Sequence, residues 1–198
     1  LNDPKYAAYK EKAYNAEGQL AEITSISDDF KPTSGAQIRK DWLDALNLPM
    51  PETYDDWETT LLAFKDNYGC TNALLLSGVT QMTNLIAGYG TAGAAEAAMG
   101  SSSAVNMYQV DGVIKNGYQD DSYRAYLTMM HKWYDEGLLS RDFITASSDG
   151  SQNNTDGLIL SGDSGIWFSQ GNFITQYENQ AQVSEPDFSI EGITDPYS

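Results

Sequence analysis

Two short polar segments contain the side chains best suited to hold a ligand. Residues 77–81 read Ser-Gly-Val-Thr-Gln and residues 169–173 read Ser-Gln-Gly-Asn-Phe, and each segment follows a short apolar run and enters a helical pattern. Open α/β sheets bind ligands where their strands end, and the first N–H groups of a helix have no intrahelical partner. Hydroxyl and amide side chains add directional hydrogen bonds, which suit a polyol such as a sugar. Ordinary turns and helix caps use the same residue types, so composition alone favours that plainer interpretation.

Nucleophilic and metal chemistry finds little support in the sequence. The single histidine, His131, lies within a helical pattern, which favours an ordinary helix residue over a catalytic one. The single cysteine, Cys70, provides neither a zinc pattern nor an intramolecular disulfide. Residues 149–156 are rich in oxygen atoms but lack the spacing of an EF-hand, and the glycines of residues 88–93 precede no phosphate-loop lysine. We therefore expect no catalytic residues, no metal and no cofactor.

The charge balance argues against nucleic acid as a partner. The 198 residues include 28 Asp and Glu but only 11 Lys and Arg, which gives a net charge of −17. Such a surface repels a phosphate backbone. Hydrophobic residues make up 41% of the chain and include 4 Trp, which predicts a folded domain rather than an acidic tail. No window approaches the roughly 18 apolar residues of a membrane span, and no export signal is present at the N-terminus, so an exported protein would have lost it.

Two helices are predicted between residues 38 and 69. The first begins at Ile38, because apolar residues recur from there at helical spacing. The second begins after Thr53, which can accept a hydrogen bond from an unpaired N–H of the first turn. Gly69 closes it as a left-handed cap. The apolar stripes that support the two helices are Ile38, Trp42, Leu43 and Leu46, followed by Trp57, Leu61 and Phe64.

The remaining elements are predicted to alternate between strands and helices. Asp111-Gly112 predicts a tight hairpin turn, and a long helix over residues 120–137 follows it, with Tyr123, Leu127, Met130 and Tyr134 on one stripe. Residues 73–76 and 165–168 read as short buried strands. Helical patterns are found at residues 4–20, 82–86 and 172–183, a weak strand pattern at residues 23–26, and a polar loop at residues 147–157. This alternation predicts an α/β layer fold.

Several blocks of the sequence resemble the extracellular solute-binding proteins of family 1. Residues 38–48 (IRKDWLDALNL), residues 51–57 (PETYDDW) and Ala63-Phe64 are similar to the signature iRkDWLDkLGLk.PkTydEw...lkAFk of that family. Asp111-Gly112 with residues 123–143 resembles its DGk...ylk.m.kwYdeGLid.df segment, and residues 162–167 resemble its GkaGmw strand. The match runs from about Ile38 to Phe173 in the order of the family.

The resemblance implies a fold and a role. The fold would be one lobe of a type II periplasmic-binding-protein-like protein, with a short mixed sheet flanked by helices. Residues 1–198 would form that single lobe, residues 1–37 would supply a hinge-proximal helix and strand, and the partner lobe is absent from the chain. Proteins of this family are ABC importer subunits rather than enzymes, and their two lobes close on a sugar or oligosaccharide before docking on a membrane permease. The implied partners are thus a carbohydrate, the permease subunits and the first lobe. The implied location is extracytoplasmic, as a cell-surface lipoprotein or in the periplasm.

The resemblance also implies which residues touch the ligand. In maltose-binding relatives, the loops after the two matching strands contact the ligand, and an aromatic ring in the second loop often stacks on the sugar. Here Phe173 is adjacent to that loop, and neither Trp nor Tyr lies within it. Arg39 and Asp41 lie just past the presumed hinge, where they either face the cleft or form a surface ion pair. The candidate ligand-binding residues are Ser77, Gly78, Thr80, Gln81, Ser169, Gln170, Asn172, Arg39 and Asp41.

Two other functions stay open at this point. A carbohydrate-active hydrolase domain would place two carboxylates across a cleft, roughly 5 to 10 Å apart. A noncatalytic interaction module of a surface protein would instead cover the two polar segments with its own chain. Trp42, Trp57 and Trp133 are expected in the core, and Trp167 is left open between the core and the ligand site.

Overall fold

The computed structural model describes residues 14, 15, 18, 19, 34–76, 79–86, 88, 89, 107–143 and 152–197. The chain divides into two compact units, residues 1–32 and residues 33–198. In the first unit, the Gly18 N–H donates to the Asn15 carbonyl oxygen (3.0 Å). The predicted strand at residues 23–26 lies outside the described residues, and so does most of the predicted helix at residues 4–20; residues 14, 15, 18 and 19 are described and are not helical. All elements named below belong to the second unit.

A small mixed sheet forms the centre of the second unit. Its strands are β1 (Ser34–Arg39), β2 (Leu74–Leu75), β5 (Ile166–Gln170) and β6 (Ile190–Ile193), arranged in the order β2-β5-β1-β6. β1 runs antiparallel to both β5 and β6, whereas β2 runs parallel to β5. Ser34 pairs with Gln170 and Ala36 pairs with Ile193. The start of β1 therefore lies beside the ends of β5 and β6, at one edge of the sheet.

Side chains that alternate along β5 build a separate core on each face of the sheet. Ile166 and Phe168 point to one face, and Trp167 points to the other. Helices α1 (Lys40–Leu46), α2 (Tyr54–Tyr68) and α4 (Asp121–Asp135) contribute buried residues to the first face. Helices α5 (Gln152–Leu160) and α6 (Asn172–Ala181) cover the second face. This helix–sheet–helix layering confirms the predicted α/β fold with a short mixed sheet.

The capping residues predicted for helix α2 are confirmed. The Asp56 N–H donates to the Thr53 hydroxyl (3.2 Å), and the Thr53 N–H donates to the Asp56 carboxylate (3.0 Å). This reciprocal pair satisfies N–H groups that the helix itself leaves unpaired. The hydrogen bonds from Thr53 hold the pKa of Asp56 below its usual range. Gly69 has a φ of 68°, the left-handed conformation that glycine adopts without steric cost.

Replacing Thr53 with alanine is expected to lower the free energy of unfolding by about 1 kcal/mol, because the alanine leaves an N–H of the first turn unpaired. Urea denaturation of the chain measures this change. The matched control is Thr59→Ala in the same helix, where the lost hydroxyl donates to the Asp55 carbonyl (2.8 Å) and does not cap the helix. An equal loss in both variants would contradict a capping role.

The contribution of Asp56 to the stability of the folded state should be present above its unfolded pKa and should disappear as the pH falls through its lowered folded pKa.

The hairpin and the long helix that follow are also confirmed. Strands β3 (Met107–Val110) and β4 (Val113–Asn116) pair across Asp111 and Gly112, which have φ values of 51° and 81°. Both values are positive, as a type I′ turn requires. His131 in α4 is exposed and lies 3.1 Å from the Asp135 carboxylate, which agrees with an ordinary helix residue. The buried stripe of α4 is Tyr126, Met130 and Trp133.

Three sequence predictions differ from the structure. Ile38 lies in strand β1, and helix α1 begins only at Lys40. Leu127 was expected on the buried stripe of α4 but is 42% exposed, because the buried stripe keeps Met130 but passes through Tyr126 and Trp133. Residues 152–157 were expected in a polar loop but form the first turns of helix α5.

Within the described residues, no helix combines the length and apolarity that a membrane crossing requires.

The expectation for the tryptophans is confirmed. Trp42, Trp57 and Trp133 are 6%, 0% and 0% exposed and belong to the first core. Trp167, which the sequence left open, is also fully buried, in the second core. These four rings therefore stabilise the layers.

Candidate ligand-binding site

An open cavity of about 390 Å³ lies at the sheet edge where β1 begins and β5 ends. Its volume falls within the range of small-molecule sites. Ser34 and Gly35 contribute from β1, and Phe168, Ser169 and Gln170 contribute from β5. The other described lining residues come from the segment after β2, from helices α5 and α6 and from the chain after β6: Gln81, Asn84, Thr155, Asp156, Phe173, Tyr177 and Asp195.

Two glutamines hold the end of strand β5 in place. The Gln37 side chain is 2% exposed; its Nε2 donates to the Gln170 carbonyl oxygen (3.0 Å), and its Oε1 accepts from the Trp167 indole N–H (3.0 Å). From the other side, Gln81 Nε2 donates to the Phe168 carbonyl oxygen (3.4 Å). Buried amides that satisfy both of their ends rigidify their surroundings. The positions of Ser169 and Gln170 in the cavity are therefore set by residues behind them.

Two buried tyrosines anchor the segment that carries Gln81 and Asn84. This segment comprises the short helix α3 (Val79–Met82) and a following 3₁₀ turn (Thr83–Leu85). The Tyr126 hydroxyl donates to the Met82 carbonyl oxygen, and the Tyr54 hydroxyl donates to the Leu85 carbonyl oxygen. Burial raises the pKa of both phenols, so both remain protonated donors at neutral pH.

An aromatic pair on helix α6 forms one wall of the cavity. The rings of Phe173 and Tyr177 are 5.8 Å apart between centroids with an interplanar angle of 23°. The Tyr177 hydroxyl donates to Asp156 Oδ1 on helix α5 (2.7 Å). Burial, followed by the hydrogen bond to Asp156, raises the pKa of Tyr177. The hydrogen bond fixes Tyr177, and the stacked Tyr177 supports the Phe173 ring.

Asp195 lies in the chain just after strand β6 and contributes a second carboxylate to the cavity. Its side chain is exposed to the open cavity, yet the surrounding protein displaces enough water to raise its pKa. Among the described residues, no group hydrogen-bonds to this carboxylate and no cation pairs with it. Its lone pairs are therefore available to hydroxyl donors of a ligand.

The predicted site residues fall into four groups in the structure, of which three concern the two polar segments. Gln81, Ser169 and Gln170 line the cavity together, although 88 residues separate Gln81 from Ser169 in sequence. Asn172 begins helix α6 beside the cavity, is exposed and is not among the described lining residues. Ser77 and Gly78 lie outside the described residues, and Thr80 lies in helix α3 without a described side chain. Ligand contact by these residues stays a prediction.

The structure does not bring Arg39 and Asp41 to this cavity. Arg39 is at the far end of β1 from Ser34, about 16 Å away at the usual rise of a strand. Its guanidinium forms two hydrogen bonds with the Asp41 carboxylate (2.9 and 2.6 Å) and is 2% exposed. Of the two interpretations of the sequence, this geometry agrees with the ion pair.

Several lining residues were not predicted from the sequence: Ser34, Gly35, Asn84, Thr155, Asp156, Tyr177 and Asp195. Ser34, Gly35 and Asp195 reach the cavity through strand pairing, because the register places the start of β1 beside the end of β6. Asp156 and Tyr177 did leave a signal, since both sit in polar segments flanking the predicted strand at residues 165–168. The long-range pairing that joins them is not readable from local sequence patterns.

Comparison with known proteins finds no matching family model. The chain is 30% identical to lipoprotein LipO of Bacillus subtilis strain 168 over 163 residues, which cover 80% of this chain and 30% of LipO. It is 26% identical to the polygalacturonan/rhamnogalacturonan-binding protein YtcQ of the same organism over 162 residues, which cover 79% of this chain and 30% of YtcQ. The chain therefore spans less than a third of the length of these relatives.

Solved structures identify the fold. The alginate-binding protein AlgQ2 matches with a TM-score of 0.65 and 20% identity over 96% of this chain and 38% of that protein. Solute-binding proteins from Bifidobacterium longum match over 98% of this chain and 40% of their own length. The chain thus has the fold of, and resembles, one lobe of the extracellular sugar-binding proteins of ABC transporters.

Proposed function

We propose that this chain is the carbohydrate-capture lobe of a non-enzymatic solute-binding protein of an ABC importer. The cavity at the sheet edge would bind part of an oligosaccharide, a second lobe would close over it, and the loaded protein would deliver the sugar to a membrane permease. Its location would be extracytoplasmic, as a lipoprotein or in the periplasm. Residues 1–198 would form this single lobe, with residues 1–37 near the hinge.

One observation carries the proposal: the cavity combines an aromatic wall with hydroxyl, amide and carboxylate groups at a strand-end edge. Sugars present apolar C–H faces to aromatic rings and hydroxyl groups to polar side chains, and this cavity offers both kinds of surface. The names of two matched proteins, a polygalacturonan-binding and an alginate-binding protein, support a carbohydrate ligand. Lobe closure would add affinity through contacts made only in the closed state.

Thermal unfolding of the full-length gene product in the presence of oligosaccharides tests this function. Kestose, stachyose, maltotriose and trigalacturonate are the probes, each at millimolar concentration. A sugar at about 100 times its Kd stabilises the folded state by about 2.7 kcal/mol, which is a shift of several degrees in Tm. Absence of a shift with every probe would count against carbohydrate capture.

Replacing Phe173 with alanine is expected to weaken binding of the probe that gives a shift by about 5- to 10-fold. The reason is the loss of an aromatic stacking surface, worth about 1 kcal/mol. Isothermal titration calorimetry measures the affinity. Val183→Ala is the matched control, because Val183 is 87% exposed and lies outside the cavity. Equal affinity in wild type and Phe173→Ala would remove the aromatic wall from the site.

A hydrolase is the second candidate, because Asp156 and Asp195 line one cavity and the pKa of Asp195 is raised. A raised pKa suits a general acid. Two observations favour binding instead: Asp156 is held by Tyr177, and two of the matched proteins are named as binding proteins. Incubating the full-length protein with the bound oligosaccharide and assaying new reducing ends distinguishes the two. Release that is abolished by Asp195→Asn would establish the hydrolase.

A further inference from the structure

The charges of the cavity restrict which sugars it accepts. Asp156 and Asp195 both line it, and none of its described lining residues is Lys or Arg. Arg39, which lies on the same strand as Ser34, is at the other end of β1 and is paired with Asp41 and Glu185. In the part of the chain that the structure describes, a negative ligand group would therefore meet carboxylates without a compensating cation.

A carboxylate sugar needs the opposite arrangement. Proteins recognise carboxylates with arginine forks, with lysine or with clustered N–H donors. Asp156 and Asp195 can only accept hydrogen bonds when ionised, so they match the hydroxyl donors of a neutral sugar. Asp195 has unused lone pairs toward the described residues, and the amides of Gln81 and Gln170 can both donate and accept. The hydrogen-bonding groups of the cavity thus fit the hydroxyl groups of a sugar, and its two carboxylates repel a uronate.

We propose that this lobe selects uncharged sugar units and discriminates against uronic acids. The inference rests on the proposed carbohydrate-binding function and specifies its substrate class. It sets the chain apart from the polygalacturonan/rhamnogalacturonan-binding and alginate-binding proteins that it resembles, whose named polymers contain acidic sugars. The Phe173 and Tyr177 rings would receive the apolar face of the neutral unit, and the two aspartates would receive its hydroxyls.

The proposal is tested with matched pairs of oligosaccharides. The two members of a pair differ only at C6 of each unit, which is a hydroxymethyl group in the neutral member and a carboxylate in the acidic member. Galactotriose with trigalacturonate and mannotriose with trimannuronate are titrated into the full-length protein at low salt. For any pair in which one member binds, the neutral member is expected to bind at least tenfold more tightly. The difference should shrink at high ionic strength, because salt screens the repulsion. Tighter binding of the acidic member would overturn the proposal.

Removing the two charges should reduce the discrimination. The Asp156→Asn and Asp195→Asn double variant is expected to bind the acidic member at least fivefold more tightly than wild type does, while the neutral member loses affinity. Asp66→Asn is the control, because Asp66 is an exposed aspartate of α2 that does not line the cavity, and it should change neither affinity. An unchanged neutral-to-acidic ratio in the double variant would overturn the proposal. Absence of binding by all four sugars together with kestose, stachyose and maltotriose would instead remove the proposed function on which it rests.

Discussion

Replacing Trp57 with alanine is expected to lower the free energy of unfolding by about 3–5 kcal/mol. The indole is 0% exposed and stacks on Phe168, with ring centroids 6.4 Å apart and an interplanar angle of 27°. Alanine would lose the transfer free energy of the ring and leave a void beside Phe168, which lines the ligand-binding cavity. Because domains of this size are stable by only about 5–15 kcal/mol, this loss is a large part of the total. Urea denaturation of the chain at 25 °C measures it.

A comparison of two phenylalanine variants tests the physical origin of this effect. Trp57 and Trp133 are equally buried, but only the Trp133 indole N–H has a partner, the Glu58 carboxylate at 2.8 Å. The Trp57 N–H has no hydrogen-bond partner among the described residues. Trp133→Phe removes the donor from a partly buried acceptor, so it should cost about 1 kcal/mol more than Trp57→Phe.

The retained Lys132 contact limits the size of that difference. Lys132 also pairs with Glu58. Burial alone would raise the pKa of Glu58, but the hydrogen bonds from Lys132 and Trp133 outweigh it and hold that pKa below its usual range. Glu58 therefore keeps one partner in the Trp133→Phe variant. Equal costs in the two phenylalanine variants would show that ring burial alone, without the indole hydrogen bond, accounts for the stability of both positions.

Local signals in the sequence were sufficient for the elements that depend on local chemistry. Thr53 and Gly69 mark the ends of α2 because capping involves atoms only a few residues apart. Asp111-Gly112 marks the hairpin because few other residue pairs tolerate two positive φ angles. Ser169 and Gln170 were found because they directly follow a short apolar run in the sequence, and the structure places both at the end of strand β5.

Strand β1 shows why other elements escaped prediction. Ile38 stands at helical spacing from Trp42, so the pattern extends the helix backward, yet residues 34–39 pair with β5 and β6. Pairing with two neighbours outweighs local periodicity, and no local pattern reveals it. The same pairing brings Ser34 and Asp195 to the cavity, so the error in β1 and the failure to predict these two site residues have one cause.

The sequence indicated that Arg39 and Asp41, at the other end of β1, could form an ion pair, but it did not indicate that the pair is buried. Arg39 and Asp41 were recognised as a pair with two possible roles, and the sequence could not show that aromatic rings enclose the guanidinium. Trp42 and Phe188 flank it at 4.3 and 4.1 Å from its central carbon. Phe188 is 149 residues from Arg39, which is a contact that only the folded chain creates.

Replacing Arg39 with methionine is expected to lower the free energy of unfolding by about 3–5 kcal/mol. Methionine retains much of the stem but removes the guanidinium that satisfies Asp41, which is only 15% exposed, and that also contacts Glu185 at 3.1 Å. The largest part of the cost should come from Asp41, because a poorly solvated carboxylate is left without a partner. Glu185 is half-exposed and can be solvated by water. Urea denaturation of the chain measures the loss.

The double variant Arg39→Met with Asp41→Asn separates the orphaned charge from the lost packing. Asparagine removes the charge at nearly constant shape, so the double variant should recover about half of the lost stability. Arg39→Lys should recover less than that, because an ammonium cannot form the two parallel hydrogen bonds or stack as a plane between Trp42 and Phe188.

Titration of the protein with an oligosaccharide that it binds decides between the two interpretations of this pair. Unchanged affinity in the folded Arg39→Met variant supports a structural ion pair. Unchanged stability with weakened binding would instead return Arg39 to the ligand site.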